Sequence, residues 1–167
     1  MSRYNAIIEN DVVNGEGVCV SFFVQGCPHR CAGCFNPETW DFSGGREYTS
    51  DVKWEIIKLI SANNIQRNFS VLGGEPMSMR NLEMTDEVIS AVRMAYPYIK
   101  IFLWTGFFLF DLIDLNDEHI NSILSKVDYV IDGPFDENLK DLSLKLRGSS
   151  NQRIWTKVNN NWVEQDG

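Results

Sequence analysis

Long apolar runs are missing from this sequence. Its longest nearly apolar stretch, Ile99 to Phe110, is interrupted by Lys100 and falls short of the roughly 20 apolar residues a helix needs to cross a bilayer. Runs of lysine and arginine are missing too: 15 basic residues stand against 23 acidic ones, a formal net charge of −8. A groove that tracks phosphates needs the opposite balance, so neither nucleic acid nor a membrane is an expected partner. Met1 to Asp11 is mixed and polar, without the apolar segment of a secretion signal, and the cytoplasm is the expected compartment. The chain also lacks internal repeats, low-complexity tracts and any linker. With 167 residues, 44% of them hydrophobic, it can bury most of its apolar surface in one core, and a single domain over residues 1–167 is expected.

Cysteine is scarce but not scattered. Three of the four cysteines lie within Cys27-Pro28-His29-Arg30-Cys31-Ala32-Gly33-Cys34, with three residues between the first pair and two between the second. In a reducing compartment clustered thiols are metal ligands or catalysts more often than disulfides. Thiolates presented from one tight loop suit a soft metal centre. Three of them cannot complete the four-ligand shell of a structural zinc or of a fully ligated iron–sulfur cube. Two readings follow. A zinc site would take His29 or Cys19 as its fourth ligand; a [4Fe–4S] cluster would keep one iron open for a small molecule. The zinc reading is the weaker: no second ligand pair lies downstream, and His29 would have to fold back onto its own loop. A zinc-stabilised binding module without catalysis is what it would imply.

The rest of the chain alternates between strand and helix patterns. Tyr4 to Ile8 reads as a short edge strand before the Asn14-Gly15-Glu16-Gly17 turn. Val18 to Gln25 is β-branched and aromatic on both alternations, the pattern of a strand buried on two faces. The cysteine loop follows its C-terminal end, where α/β folds place ligands. A helix capped at Thr49 or Ser50 carries Val52, Ile56, Leu59 and Ile60 on one stripe. Phe69 to Leu72 is a second strand running into Gly73-Gly74. A helix from Thr85 to Tyr96 turns Met84, Val88, Ala91, Val92 and Ala95 inward. Ile99 to Trp104 and Asp128 to Asp132 are further strands, with one or two short helices between Phe107 and Ser125. Ile154 to Val163 reads as a hairpin around Asn159-Asn160-Asn161. This order predicts an α/β fold of mostly parallel strands, an open sheet or a partial barrel.

Two further segments stand out. Gly73-Gly74-Glu75-Pro76 ends a buried strand; alone it is a turn signal, with Glu75 either facing a ligand or bonding local amides. Arg147-Gly148-Ser149-Ser150-Asn151-Gln152-Arg153 is a polar segment between Leu146 and Ile154. With the cysteine spacing, these resemble the radical S-adenosylmethionine (SAM) superfamily. The Arg147 to Arg153 segment is similar to one found in the activating enzymes of anaerobic (class III) ribonucleotide reductase. The resemblance covers about Asn14 to Trp155.

The resemblance implies a short partial (βα) barrel with Cys27, Cys31 and Cys34 holding a [4Fe–4S] cluster. It implies SAM bound at the open iron, with Gly73, Gly74, Glu75 and Pro76 at its amino group. The implied reaction is reductive cleavage of SAM to a 5′-deoxyadenosyl radical, which makes a glycyl radical on the large subunit of the reductase. A flavodoxin or ferredoxin would supply the electron. Activation of another glycyl-radical enzyme, or modification of a small molecule, is the alternative within the superfamily. No general acid or base is required. Gly33 stands before the third cysteine, where many relatives have an aromatic residue near the adenine, so that contact must come from elsewhere or from backbone. Gly33, Cys34 and Phe35 are nonetheless candidates for the cofactor wall. Thr105 and Asp132, at strand C-termini, are further candidates, Asp132 for the ribose. Cys19 stands where the subgroup often has arginine and reads as a buried small hydrophobe. The sequence leaves a homodimer open.

Overall fold

A computed structural model of the chain describes residues 2–165. In order it contains β1 (Arg3–Asp11), β2 (Cys19–Val24), β3 (Arg46–Glu47), α1 (Ser50–Ile60), β4 (Asn68–Gly73) and α2 (Leu82–Ala95). These are followed by β5 (Ile101–Trp104), α3 (Leu109–Asp114), α4 (Glu118–Lys126), β6 (Tyr129–Asp132), β7 (Arg153–Val158) and β8 (Asn161–Gln165). All eight strands form one sheet in the order β3-β1-β2-β4-β5-β6-β7-β8. The four central strands β2, β4, β5 and β6 run parallel. Antiparallel strands extend the sheet on both sides. The α/β class and the parallel centre agree with the sequence pattern.

The register sorts the central strands into two faces. Phe22, Val71, Leu103 and Val130 are paired across the four strands and belong to the core shared with the helices. One residue back, Ser21, Ser70, Phe102 and Tyr129 form the matching row on the opposite face. Both alternations of β2 are largely buried, as its composition predicts. α1 places Val52, Ile56 and Ile60 in the core, and Leu59 is half-buried beside them. The amphipathic α4 is capped by Asp117, which accepts from the amides of His119 and Ile120.

Several boundaries differ from expectation. β1 runs to Asp11 and is flanked on its outer side by β3, so it is longer than the predicted edge strand. Its last residues look polar, but Asp11 is buried and bonded, as described below. α2 begins at Leu82 rather than Thr85, because Leu82 and Met84 are both buried against the core. It ends at Ala95, which is exposed rather than turned inward. The hairpin of β7 and β8 forms as expected, with Asn159 and Asn160 at positive φ in its turn. Among the described residues no helix is long and apolar enough to cross a membrane.

Candidate active site

Strand β2 delivers the chain to the cysteine loop, and the loop is fixed at its start by backbone bonds. Gly26 and Cys27 donate to the carbonyls of Thr39 and Trp40 at 2.7 and 3.1 Å. β4 delivers the neighbouring turn, Gly73 to Pro76. The two glycines are demanded by their neighbours: Gly73 has φ +108°, and a Cβ on Gly74 would lie 2.5 Å from the Gly26 carbonyl oxygen. The close approach their lack of side chain permits is therefore to the start of the cysteine loop. Glu75 donates its amide to the Gly26 carbonyl at 2.8 Å. Buried Asn81 locks the same junction, its Nδ2 reaching the carbonyls of Gln25, Gly26 and Glu75 at 3.2, 3.3 and 3.0 Å.

These loops open onto a cavity of about 490 Å³ at the C-terminal edge of the parallel strands, within the range of small-molecule sites. Cys27, Cys31 and Cys34 all line it, with Phe35, Gly73, Gly74, Glu75 and Thr105. All three thiols are free. Burial pushes the Cys27 thiol up to about 11 and raises Cys31 as well, so metal-free protein holds these two as thiols and ligation must release their protons. The Asn36 amide donates to the Cys34 sulfur at 3.4 Å. Among the described residues no three His, Cys, Asp or Glu side chains are arranged to hold a single metal ion. A cubane asks something different, one thiolate on each of three irons around a shared space.

Glu75 is 1% exposed, and both carboxylate oxygens are taken. Oε1 accepts from the Gly106 amide and from His29 Nε2, each at 2.6 Å. Oε2 accepts from the Thr105 hydroxyl at 2.7 Å and the Met77 amide at 2.9 Å. Glu75 thus bonds local amides while still lining the cavity, beside the backbone of Gly73 and Gly74. Pro76 is buried behind the turn, its carbonyl accepting from the Thr85 hydroxyl at 2.8 Å, and does not line the cavity. Asp132 is fully buried, does not line the cavity, and accepts from Arg153 at 3.0 Å and from the Leu109 amide at 2.7 Å, as a strand-end carboxylate bonded within its own scaffold does. The zinc reading's fourth ligands are likewise committed: His29 to Glu75, and Cys19 to the far end of β2, where its sulfur donates to the Glu16 carbonyl at 3.4 Å.

The opposite wall of the cavity was not legible in the sequence. Phe135, just after β6, lines it and packs against Phe35 with ring centroids 4.9 Å apart. Gly33 adopts φ +74°, and a side chain there would run into Glu137 at 2.8 Å and approach the Phe135 ring at 3.5 Å. An aromatic ring therefore fills the direction that residue 33 leaves empty. A Cβ on Gly148 would meet Phe35 at 2.6 Å, so this glycine makes room for the aromatic pair. Its place just after β6 and the Gly133-Pro134 turn is the sequence signal that could have found Phe135.

The Arg147 to Arg153 segment acquires a structural role. Gln152 Oε1 accepts from the amides of Gly148 and Ser149 at 2.8 and 3.2 Å, and its Nε2 donates to the Gly133 carbonyl at 3.0 Å. Asn151 donates to the Pro134 carbonyl at 2.8 Å. The Ser149 hydroxyl accepts from the Asp136 amide at 3.1 Å. The segment thus holds residues 133–136, and Phe135 with them, against the cysteine loop. Arg147, Gly148 and Gln152 themselves line the cavity.

Comparison with known proteins gives one consistent result. The family model described as "4Fe-4S single cluster domain" matches residues 13–155. The chain is 37% identical over 153 residues to the anaerobic ribonucleoside-triphosphate reductase-activating protein of Vibrio cholerae, covering 91% of this chain and 96% of that one. It is 36% identical to the protein of the same name from Enterobacteria phage T4, covering 96% and 97% of the two chains. The Escherichia coli protein of that name is 34% identical, with 91% and 97% covered.

Proposed function

The chain belongs to the family of anaerobic ribonucleoside-triphosphate reductase-activating proteins, and from that membership we propose how its cavity works as a radical SAM site. It is an activating enzyme of anaerobic ribonucleotide reductase and carries a 4Fe–4S domain. The observation that carries the mechanism is the shared cavity: the three thiols and the turn after β4 line one space.

Cys27, Cys31 and Cys34 would hold three irons of the cluster. A cluster reduced by an external one-electron donor, with SAM at its fourth iron, would supply the one-electron chemistry that removes a hydrogen atom from a glycine Cα of the reductase, methionine being the leaving group. The chain's own residues bind and orient. Gly73 and Gly74 present backbone to the SAM amino group, while Glu75 and Asn81 keep that turn seated on the cysteine loop. Thr105 lines the floor, its hydroxyl held by Glu75. Phe35 and Phe135 offer an apolar wall suited to a purine face. Leu142, Leu144 and Leu146 extend the apolar lining and help exclude water from the reacting centre.

Parallel strands with helices on one face and the cavity on the other support a short partial (βα) barrel. On this reading the chain works as one radical SAM domain, in the reducing cytoplasm, with a flavodoxin- or ferredoxin-like donor. Sedimentation of the purified protein decides between a monomer and a homodimer. The function is tested with anaerobically purified protein, SAM, a one-electron reductant and the large subunit of the reductase. About four irons per chain, a reduced cluster signal altered by SAM, and a glycyl radical on the reductase are the expected results. One zinc without sulfide, or cleavage of SAM without a glycyl radical, would overturn the reading.

A further inference from the structure

We propose that His29, which lies between the first two cluster cysteines, is a positioning residue that couples the cysteine loop to the SAM amino-group site by orienting Glu75. The inference rests on the SAM reading above. Its physical basis is that, among the described residues, Glu75 is the one side chain bonded to all three walls of the site. It bonds its own turn through the Met77 amide, the end of β5 through Thr105 and Gly106, and the cysteine loop through His29.

His29 lines the cavity, and its ring is held towards Glu75. Its Nε2 lies 2.6 Å from Glu75 Oε1. The other donors to Glu75 are an alcohol and two amides, so the carboxylate is the acceptor throughout and Nε2 carries the hydrogen. The Thr105 hydroxyl accepts from the Phe107 amide at 3.1 Å, which turns its own hydrogen towards Glu75. The imidazole meets Phe107 edge-on at a centroid separation of 4.6 Å. It also lies over Gly106, where a Cβ would come within 2.6 Å of the ring. Ring position and bond direction are therefore both fixed by the end of β5. Without His29, the loop between Cys27 and Cys31 would have no side-chain bond to the turn, and Glu75 Oε1 would keep only the Gly106 amide.

The consequence is specific. Removing His29 should leave the thiolates able to assemble a cluster while loosening the backbone that receives the amino group. His29→Ala and His29→Gln are the variants, because the glutamine amide can place a donor near the position of Nε2. Both are compared with wild type in the anaerobically reconstituted protein, by iron content, by the affinity for SAM in equilibrium dialysis, and by the reduced cluster's paramagnetic resonance spectrum with and without SAM. Expected is full iron in both variants. SAM affinity should fall about tenfold in His29→Ala, with a weakened spectral response, and return most of the way in His29→Gln. In a Glu75→Gln background the His29→Ala loss should shrink, because the two residues act through one bond. Unchanged SAM affinity in His29→Ala overturns the proposal. So does loss of the cluster in His29→Ala that His29→Gln fails to restore, which would make the residue a loop support only. So does full additivity with Glu75→Gln. Failure of the SAM reading itself is distinguishable, since wild type would then show no spectral response to SAM at all.

Discussion

The two faces of the central sheet are built from the same strands and do different work. On the helix side, Val20, Phe22, Phe69, Val71, Ile101, Leu103 and Val130 are all fully buried and apolar. On the other side the alternating positions include Ser21 and Ser70, equally buried but polar. Those hydroxyls are not idle. Ser21 donates to Asp11 at 2.7 Å and Ser70 to the Asn14 carbonyl at 2.7 Å, so they tie down the loop that runs beneath the cavity. One face excludes water by packing; the other holds loops by hydrogen bonds and leaves a space. Stability should therefore reside mainly in the first face and activity in the second, and substitutions should separate the two.

The largest effect should come from the cavity side and leave stability alone. Replacing Cys31 by alanine removes a thiol proposed to ligate iron from a half-buried loop position. Glycyl-radical formation should fall by at least about a thousandfold, some 4 kcal/mol in barrier terms, with iron content well below wild type. The melting temperature of the metal-free variant should stay within the small range of a surface change. The opposite outcome is expected on the helix face. Phe22→Ala should cost about 3–5 kcal/mol of unfolding free energy, measured by urea denaturation of metal-free protein. The Phe22 ring is fully buried and lies 5.7 Å from that of Tyr4. A cysteine variant that unfolds, or a Phe22 variant as stable as wild type, would break the division.

A smaller effect sharpens it. Gly148→Ala puts a methyl group 2.6 Å from the Phe35 ring and 3.0 Å from Phe135, so the aromatic pair must shift. Gly148 adopts no left-handed conformation, so backbone strain does not enter. SAM affinity should drop several-fold while the urea midpoint changes little. A midpoint shift as large as that of Phe22→Ala would mean the cavity wall is part of the stabilising core after all.

The same division explains what the sequence discloses. The helix face announces itself through local periodicity: Val52, Ile56 and Ile60 recur at helical spacing, and β2 is dense in β-branched and aromatic residues. The cysteines and the turn after β4 are also local, each a short motif at a strand's C-terminal end. The far wall is assembled from residues distant in the chain. Phe135 reaches Phe35 across 100 positions, and Gln152 holds residues 133–136 through bonds no spacing reveals. Glu75 and Asp132 mark the same boundary. Each is an acid at a strand end beside the cavity, and only the donors around them show that both are bonded by the protein itself. Asp11 is the clearest case, since a polar run, Glu9-Asn10-Asp11, looks like the end of a strand and is its continuation, with Asp11 buried at its last position.

Asp11 also provides the finest test of the hydrogen-bonded face. Its carboxylate accepts from the amides of Val13 and Asn14 at 2.8 and 3.2 Å, from Asn14 Nδ2 at 2.8 Å and from Ser21. Burial works to raise its pKa, but the bonds from Ser21, Asn14 and Val13 prevail and hold it below the ordinary 3.8. A depressed carboxylate contributes stability that is complete above its unfolded pKa. As the pH falls through 3.8, the unfolded chain takes up a proton that the folded chain still refuses, and the contribution declines until the folded pKa is passed. Stability from urea titrations should accordingly fall more steeply below about pH 4 in wild type than in Asp11→Asn, which has no such proton to bind. At neutral pH the variant should be less stable by about 1–3 kcal/mol, the range for a buried bonded group that loses its partner. Helix-face variants such as Phe22→Ala should keep the wild-type acid slope, because they remove packing and leave every carboxylate in place. Parallel acid limbs for wild type and Asp11→Asn would mean that Asp11 titrates alike in both states, and the hydrogen-bonded face would then owe its order to burial alone.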